Sequence, residues 1–254
     1  MKVLVTGATG FVGKKLVSQL INRSHKVSIL TRDTEIGRKR LPMDCKFHKW
    51  EPELYPPSSQ AFDGVNAVVH LAGENIADGR WSESRKNKIK NSRVLSTRNL
   101  VSTLKSMKNP PDTFVSASAV GFYGKDKPVE LYEDLGPGKD FLADVCKEWE
   151  HEAFTARNHN IRTIALRIGI VLGYGGGAIK KMLPPFWAGV GGTLGDGNQW
   201  MSWIHIKDLV GMIIHSLENK TIQGAYNATS PDPVTNKAFT KCLAKVLRRP
   251  AILP

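Results

Sequence analysis

At 254 residues, with 41% of them hydrophobic, the chain can build one large α/β domain and a small appendage, and no apolar run reaches the roughly 18 residues of a membrane span. Cys45, Cys146 and Cys242 fall in no metal-ligand or disulfide pattern, so no metal is expected, and the N-terminus opens as a strand rather than a signal peptide, which fits a cytoplasmic protein. The net charge of +13 would suit nucleic acid, but the cations run from Lys2 to Arg249 with no zinc-finger or aromatic RNA-binding motif beside them, and a small-molecule substrate is the expected partner.

The first element carries the most information. Val3-Leu-Val5 feeds into Gly7-x-x-Gly10-x-x-Gly13, and Val12, Leu16, Leu20 and Ile21 follow at helical spacing within Gly10–Arg23. Strand, glycine turn and helix start is the order in which a glycine triplet holds a dinucleotide. Gly7 permits the tight turn, Gly10 lets the backbone approach a pyrophosphate at the helix N-terminus, and Gly13 lets helix and strand pack closely. The second strand, Val27–Thr31, ends at Thr31-Arg32. An acid at that tip would hold the ribose hydroxyls of NAD, whereas a guanidinium can hold a 2′-phosphate through paired charge-assisted bonds. Arg32 therefore favours NADP, although a strand end displaced by one residue would put Asp33 there instead. Arg38, Lys39 and Arg40 read as a solvated basic loop or as further positive charge nearby.

Further strands are expected at Lys46–Trp50, Ala67–Ala72, Thr113–Ala117, Thr163–Ile168 and Ala225–Asn227, and helices at Glu83–Lys105, Asp140–Arg157, Lys207–Glu218 and Asn236–Leu247. This alternation predicts βαβ units and a doubly wound parallel sheet of the Rossmann type. The loop Glu51–Phe62, with Pro52, Pro56 and Pro57, reads as a surface connection. From Gly173 onward the chain turns glycine-rich, with Pro and Trp interspersed. The expected organisation is a dinucleotide-binding domain over 1–172, whose sheet the strand near 225–227 joins, and a substrate-side lobe over 173–254.

The spacing G-x-x-G-x-x-G, with Thr9 and Phe11, resembles the extended short-chain dehydrogenase/reductase superfamily in its epimerase-like branch. His70-Leu-Ala-Gly-Glu-Asn75 follows the fourth strand, and in a doubly wound sheet ligands bind beyond the carboxyl ends of the strands, so Leu71, Ala72 and Gly73 should border the cofactor. That phrase, Arg80-Trp81, Ser116-Ala-Ser-Ala-Val-Gly-Phe-Tyr-Gly124, Trp149-Glu150 and Trp203-Ile-His-Ile-Lys-Asp208 are together similar to a narrower, atypical branch, described as sugar-nucleotide-epimerase-like or cell-division-inhibitor-like. The resemblance covers nearly the whole chain. It implies an NADP-dependent oxidoreductase or epimerase that moves a hydride to or from a small carbonyl or sugar-derived compound. It also implies cofactor contacts at Thr31, Arg32, Leu71, Ala72, Lys88, Arg93 and Val171, beside the turn residues Gly7, Thr9, Gly10, Phe11, Val12 and Gly13.

The departures from the family bear on chemistry. Its usual catalytic unit is a Tyr and a Lys four residues later on one helix, the lysine and cofactor lowering the tyrosine's pKa. On Asp140–Arg157 those positions hold Leu142 and Cys146, or in the adjacent register Ala143 and Lys147. Tyr123 and Lys127 match the letters, but Gly124 and Pro128 make that stretch a turn. Ser118 matches the family's assisting Ser/Thr, and Tyr123 is the best substitute acid, so these two are the catalytic candidates; a backbone-bonded hydroxyl is the other reading of Ser118. Met201 stands where sugar-nucleotide epimerases carry the arginine that binds a diphosphate, while His205 and Asp208 read as structural, Asp208 as a helix cap. Members of the branch usually continue into a further C-terminal module, so an incomplete C-terminus is expected after Arg248-Arg-Pro-Ala-Ile-Leu-Pro254. The competing reading of the whole chain is an NADP(H)-binding sensor or scaffold without catalysis.

Overall fold

The computed structural model describes residues 1–125 and 130–253. In chain order the elements are β1 (Lys2–Thr6), α1 (Phe11–Asn22), β2 (Lys26–Thr31), α2 (Thr34–Arg40), β3 (Lys46–Lys49), β4 (Ala67–His70), α3 (Glu83–Ser106), β5 (Thr113–Ala119), α4 (Phe141–Phe154), β6 (Arg162–Ile168) and β7 (Ile170–Leu172). There follow α5 (Gly177–Trp187), β8 (Gly191–Gly192), β9 (Trp200–Met201), β10 (Trp203–His205), α6 (Ile206–Glu218), β11 (Gly224–Ala228), β12 (Val234–Thr235), α7 (Asn236–Leu247) and β13 (Ala251–Leu253). No helix among the described residues is long and apolar enough to cross a membrane.

Seven strands form one sheet in the order β11-β6-β5-β4-β1-β2-β3, a Rossmann-type arrangement of parallel strands with flanking helices. In register, Thr6 at the end of β1 stands between Leu30 of β2 and His70 of β4. The central strands are apolar on both faces, as a sheet covered by helices on each side requires: Val3, Leu4, Val5, Val68 and Val69 are all fully buried. On one face Leu4, Val68 and Phe114 pack against Leu100 and Leu104 of α3, with Trp50 and Phe62 closing the cluster.

The chain divides into two compact units, one of residues 1–167 with 210–227, the other of 168–209 with 228–254. The second contains the two-stranded pairs β10-β7, β12-β9 and β13-β8. Its helix α5 was not legible as a helix: it starts behind Gly176 without a side-chain cap and carries Pro184 and Pro185. The region read as a basic loop after Arg32 is helix α2, with Asp33 as its N-cap accepting from the Ile36 N–H, Glu35 in its first turn and Arg38, Lys39 and Arg40 in its last. That charge order complements the helix dipole. Asp208 does not cap α6, which already begins at Ile206; it sits in the first turn, where the Lys207 N–H donates to His205 Nδ1.

Candidate functional site

The site begins where β1 runs out. Gly7 adopts φ +68°, and a Cβ there would lie 2.6 Å from the Leu71 carbonyl carbon, so both its angle and its neighbour demand glycine. Gly10, the N-cap of α1, has ordinary extended angles (φ −77°, ψ 177°), and a Cβ would meet only the Gly7 carbonyl at 3.2 Å. The backbone at Gly10 is therefore unstrained, and only close approach of a ligand can require glycine there. Gly13 is a packing glycine: a Cβ would fall 2.3 Å from the Gly7 oxygen and 2.6 Å from the Ala8 Cα.

A cavity of about 240 Å³ opens over this turn, beyond the carboxyl ends of β1, β2 and β4. Among the residues expected at a cofactor it gathers Gly7, Thr9, Gly10, Thr31, Arg32, Leu71, Ala72 and Gly73. Phe11, Val12 and Gly13 continue into α1 and do not line it. Lys88 is exposed on α3, Arg93 lies on the same helix, and Val171 belongs to β7 of the second unit. Arg93 supports the cavity from outside, with Nη2 donating to the Glu74 carbonyl at 2.9 Å and its guanidinium 5.4 Å from the Trp149 ring centre. Arg32 is exposed at the rim. Asp33, the acid that would have favoured NAD, has its carboxylate engaged in capping α2.

Sequence reasoning missed the far wall. Trp50, Pro52 and Glu53 come from the loop read as a surface connection, and Trp50 is almost wholly buried, its N–H bonded to the Thr31 carbonyl and its Nε1 to the Tyr55 carbonyl. A tryptophan ending a short edge strand was the available signal. The basic run on α3 is largely matched by acids: Arg85 with Glu74 at 2.6 Å, Lys86 with Glu83 at 2.8 Å and Lys90 with Glu148 at 2.7 Å.

The structure places the two catalytic candidates in a buried polar network. Ser118 donates to Glu150 Oε1 at 2.6 Å, and Glu150 accepts a bidentate pair from Arg167 Nε and Nη2 at 2.9 and 3.0 Å. Arg167 also donates to the Tyr123 hydroxyl at 2.8 Å, which in turn donates to Asn227 Oδ1 at 2.8 Å. The guanidinium lies 3.6 Å from the centre of the Phe122 ring. Burial works against the Arg167 charge, but the bonds to Glu150 and Tyr123 outweigh it and raise its pKa. Tyr123 and Ser118 are 1% and 3% exposed and neither lines the cavity. Proton transfer by Tyr123 would require this network to open, so the expected free acid at the cleft is not what the structure presents. Lys127 and Pro128 lie outside the described residues.

Helix α4 turns the residues of the two registers in different directions. A Cβ on Gly121 would sit 3.3 Å from Leu142 Cβ and 3.9 Å from Cys146 Sγ, so Leu142 and Cys146 face the turn after β5, while Lys147 is exposed. Burial, helped by Glu150, pushes the Cys146 thiol up to about 12, so it cannot stand in for a base. Met201 is buried, and its sulfur accepts from Asn236 Nδ2 at 3.4 Å.

Residues 3–229 match the family model described as the NAD dependent epimerase/dehydratase family. The whole chain is 39% identical to the chloroplastic homologue of epimerase family protein SDR39U1 from Arabidopsis thaliana, covering 73% of that protein. It is 37% identical to epimerase family protein YfhF of Bacillus subtilis, covering 82% of it. Among solved structures, human epimerase family protein SDR39U1 with NADPH superposes over all of this chain and 82% of that one, at 33% identity and a TM-score of 0.86. UDP-glucuronic acid 4-epimerase from Bacillus cereus with NAD, at 22% identity and a TM-score of 0.84, shares the fold.

Proposed function

The chain belongs to the NAD-dependent epimerase/dehydratase family, and we propose that it binds NADP(H) through the β1–α1 turn and transfers a hydride to or from a small carbonyl or sugar-derived compound. The observation that carries the reading is the rim of the cavity, where Arg32 stands exposed while the neighbouring acid Asp33 is taken up as a helix cap. A 2′-phosphate would meet the Arg32 guanidinium there, beside an Asp33 carboxylate that is bonded to the Ile36 N–H. Support comes also from the relative that binds NADPH, human SDR39U1. The pyrophosphate would lie against Gly10 at the start of α1, with Thr9, Phe11, Val12 and Gly13 forming the turn, and the segment Leu71–Gly73 bordering the ribose side. A cavity of about 240 Å³ is smaller than the roughly 300–1,000 Å³ of pockets that hold a whole small ligand, so it would take one end of the dinucleotide. When bound, NADP(H) supplies the hydride. The substrate reading departs from sugar nucleotides, because a buried methionine at position 201 cannot bind a diphosphate.

A second reading, NADP(H) binding without turnover, is favoured by the engagement of the Tyr123 hydroxyl between Arg167 and Asn227 and by the lack of a tyrosine in either register of α4, Leu142/Cys146 or Ala143/Lys147. Calorimetry with NADPH and NADH tests the cofactor, and single-turnover NADPH oxidation against a panel of carbonyl and sugar-derived substrates separates the two readings. Tighter binding of NADH than NADPH would refute the cofactor assignment. Tight NADPH binding with no oxidation across the panel would favour the sensor.

A further inference from the structure

His70 ends β4 with no exposed surface, and both its ring nitrogens are bonded. Nδ1 lies 2.7 Å from Thr6 Oγ1, and Nε2 lies 3.3 Å from Ser96 Oγ of α3. The single hydroxyl proton of Ser96 is directed to backbone carbonyls, foremost that of Ser92 at 2.6 Å, with Arg93 O at 3.1 Å. Ser96 Oγ can therefore only accept from the ring, which assigns the proton to Nε2 and leaves Nδ1 as an acceptor for the Thr6 hydroxyl. Thr6 Oγ1 in turn accepts from the Ala72 N–H at 3.2 Å. At the other end, Ser92 Oγ accepts from the Glu74 N–H at 3.0 Å. The directions from the Ala72 N–H through Thr6, His70 and Ser96 to the Ser92 carbonyl are consistent, and Ser92 Oγ, which holds the Glu74 N–H, donates its own proton to the Ile89 carbonyl at 3.1 Å.

The chain runs beneath the cavity. Ala72 and Glu74 are two of the residues that line it, as are Thr6 and Ser92, which hold their amides. His70 and Ser96 line nothing; they join those two anchors from below. A histidine is suited to this role because it is the one side chain that offers an acceptor and a donor on opposite edges of a rigid ring. An apolar residue would fill the space equally well but would leave Thr6 and Ser96 unlinked, and a core site chosen for packing alone has no need of either bond.

We propose that His70 is a positioning residue of the dinucleotide site: acting through Thr6 on one side and Ser96–Ser92 on the other, it fixes the backbone of Leu71–Glu74 at the cavity rim. The inference rests on the reading that this cavity binds NADP(H). Positioning of a binding backbone by a second layer of bonded groups holds affinity that contact residues alone do not supply.

The test combines calorimetric NADPH binding, amide hydrogen exchange of the ligand-free protein and thermal unfolding on His70→Leu, His70→Asn and Ser96→Ala. His70→Leu should weaken NADPH binding by about tenfold, the scale of one lost net hydrogen bond, and speed exchange at Ala72 and Glu74 more than at the central strands. His70→Asn keeps an acceptor in the place of Nδ1, so it should restore protection at Ala72 and most of the affinity. Ser96→Ala should loosen Glu74 and weaken binding in the same direction, and it decides the question if His70→Leu does not fold. A purely structural histidine would lower the melting temperature while leaving affinity and the relative exchange of these two amides as in wild type, and that result overturns the proposal. Wild-type protein that binds neither NADPH nor NADH would overturn the reading of the cavity itself, a failure visible before any variant is made.

Discussion

Replacing Glu150 with Ala breaks the most heavily buried ion pair among the described residues. Glu150 and Arg167 are 5% and 4% exposed, and the carboxylate takes two hydrogen bonds from the guanidinium and one from Ser118. Without it Arg167 retains only the Tyr123 hydroxyl, the Glu133 carbonyl and the face of Phe122, none of which carries a compensating charge. Removing one partner of such a pair typically destabilises by about 3–5 kcal/mol. For a chain of this size each kcal/mol lowers the melting temperature by about 2–4 °C, so a fall of about 6–20 °C is expected. The Glu150→Met/Arg167→Met double variant should be more stable than either single one, because it leaves no uncompensated charge and replaces the pair by apolar groups. Equilibrium urea unfolding on wild type, Glu150→Met, Arg167→Met and the double variant gives the coupling directly, with Glu150→Ala measured beside them. A loss under about 1 kcal/mol for Glu150→Ala, or a double variant whose loss equals the sum of the singles, would show that the pair is solvated in solution and that the network does not lock Ser118 and Tyr123.

Arg32→Ala should weaken NADPH binding by about 1.5–3 kcal/mol, the range for a charge-assisted bond, and leave NADH nearly unchanged in calorimetry; equal losses for both would remove Arg32 from the 2′-phosphate. Gly10→Ala should fold normally, since its Cβ meets only the Gly7 oxygen at 3.2 Å, yet lose dinucleotide binding, whereas Gly13→Ala should destabilise the ligand-free fold itself because its Cβ would fall 2.3 Å from that oxygen. His70 is held neutral by burial, its pKa lowered from 6.5 to about 3. The unfolded chain thus binds the extra proton first, so this contribution to stability is complete above about pH 6.5 and declines towards pH 3 with a slope of up to roughly 1.4 kcal/mol per pH unit; the urea midpoint of His70→Asn should lose that slope over the same range. Tyr123→Phe should lower stability by about 1–3 kcal/mol through the orphaned Asn227 and Arg167 groups while leaving single-turnover NADPH oxidation unchanged, and a large fall in rate would return Tyr123 to the role of acid.

The fold was legible because its signals are periodic and local. Val3-Leu-Val5 and the glycines that follow specify a buried strand, a left-handed turn at Gly7 and a helix start with no reference to the rest of the chain. The α3 and α7 boundaries came from apolar spacing alone and agree with the structure within a residue. Helix α2 carried its own signal, Asp33 and Glu35 ahead of Arg38-Lys-Arg40, but at seven residues it is too short to show a period, and its bases read as solvent charge. Helix α5 carried none, since glycine and proline dominate its composition. The cavity was half legible. The residues contributed by β1, β2 and β4 follow from strand ends, whereas Trp50, Pro52 and Glu53 reach it only through the tertiary course of an irregular loop. The polar network around Arg167 was invisible for the same reason: the Ser118–Tyr123 stretch, Glu150, Arg167 and Asn227 stand far apart in sequence and meet only because β5, α4, β6 and β11 do.

That network bears on what chemistry the chain can support. Hydride transfer to a carbonyl carbon leaves an alkoxide that must take a proton, and a positioned acid typically contributes about a hundred- to ten-thousandfold to such a step. In one of the two registers that the family resemblance allows on α4, the tyrosine and lysine positions hold Leu142 and Cys146, whose thiol burial holds near 12, protonated and too weak an acid for the task. In the other they hold Ala143 and Lys147. Apolar and sulfur atoms of Leu142 and Cys146 face Gly121: a Cβ there would lie 3.3 Å from Leu142 Cβ and 3.9 Å from Cys146 Sγ. Tyr123 is tied between the Arg167 guanidinium and the Asn227 amide and is buried, which keeps its hydroxyl from any external partner. The chain combines a glycine turn that excludes a Cβ at Gly7 and Gly13 with a face of α4 on which Leu142 and Cys146 present neither a free acid nor a base to the turn after β5. That combination fits either a substrate that brings its own proton donor or a protein whose response to NADP(H) is the binding itself.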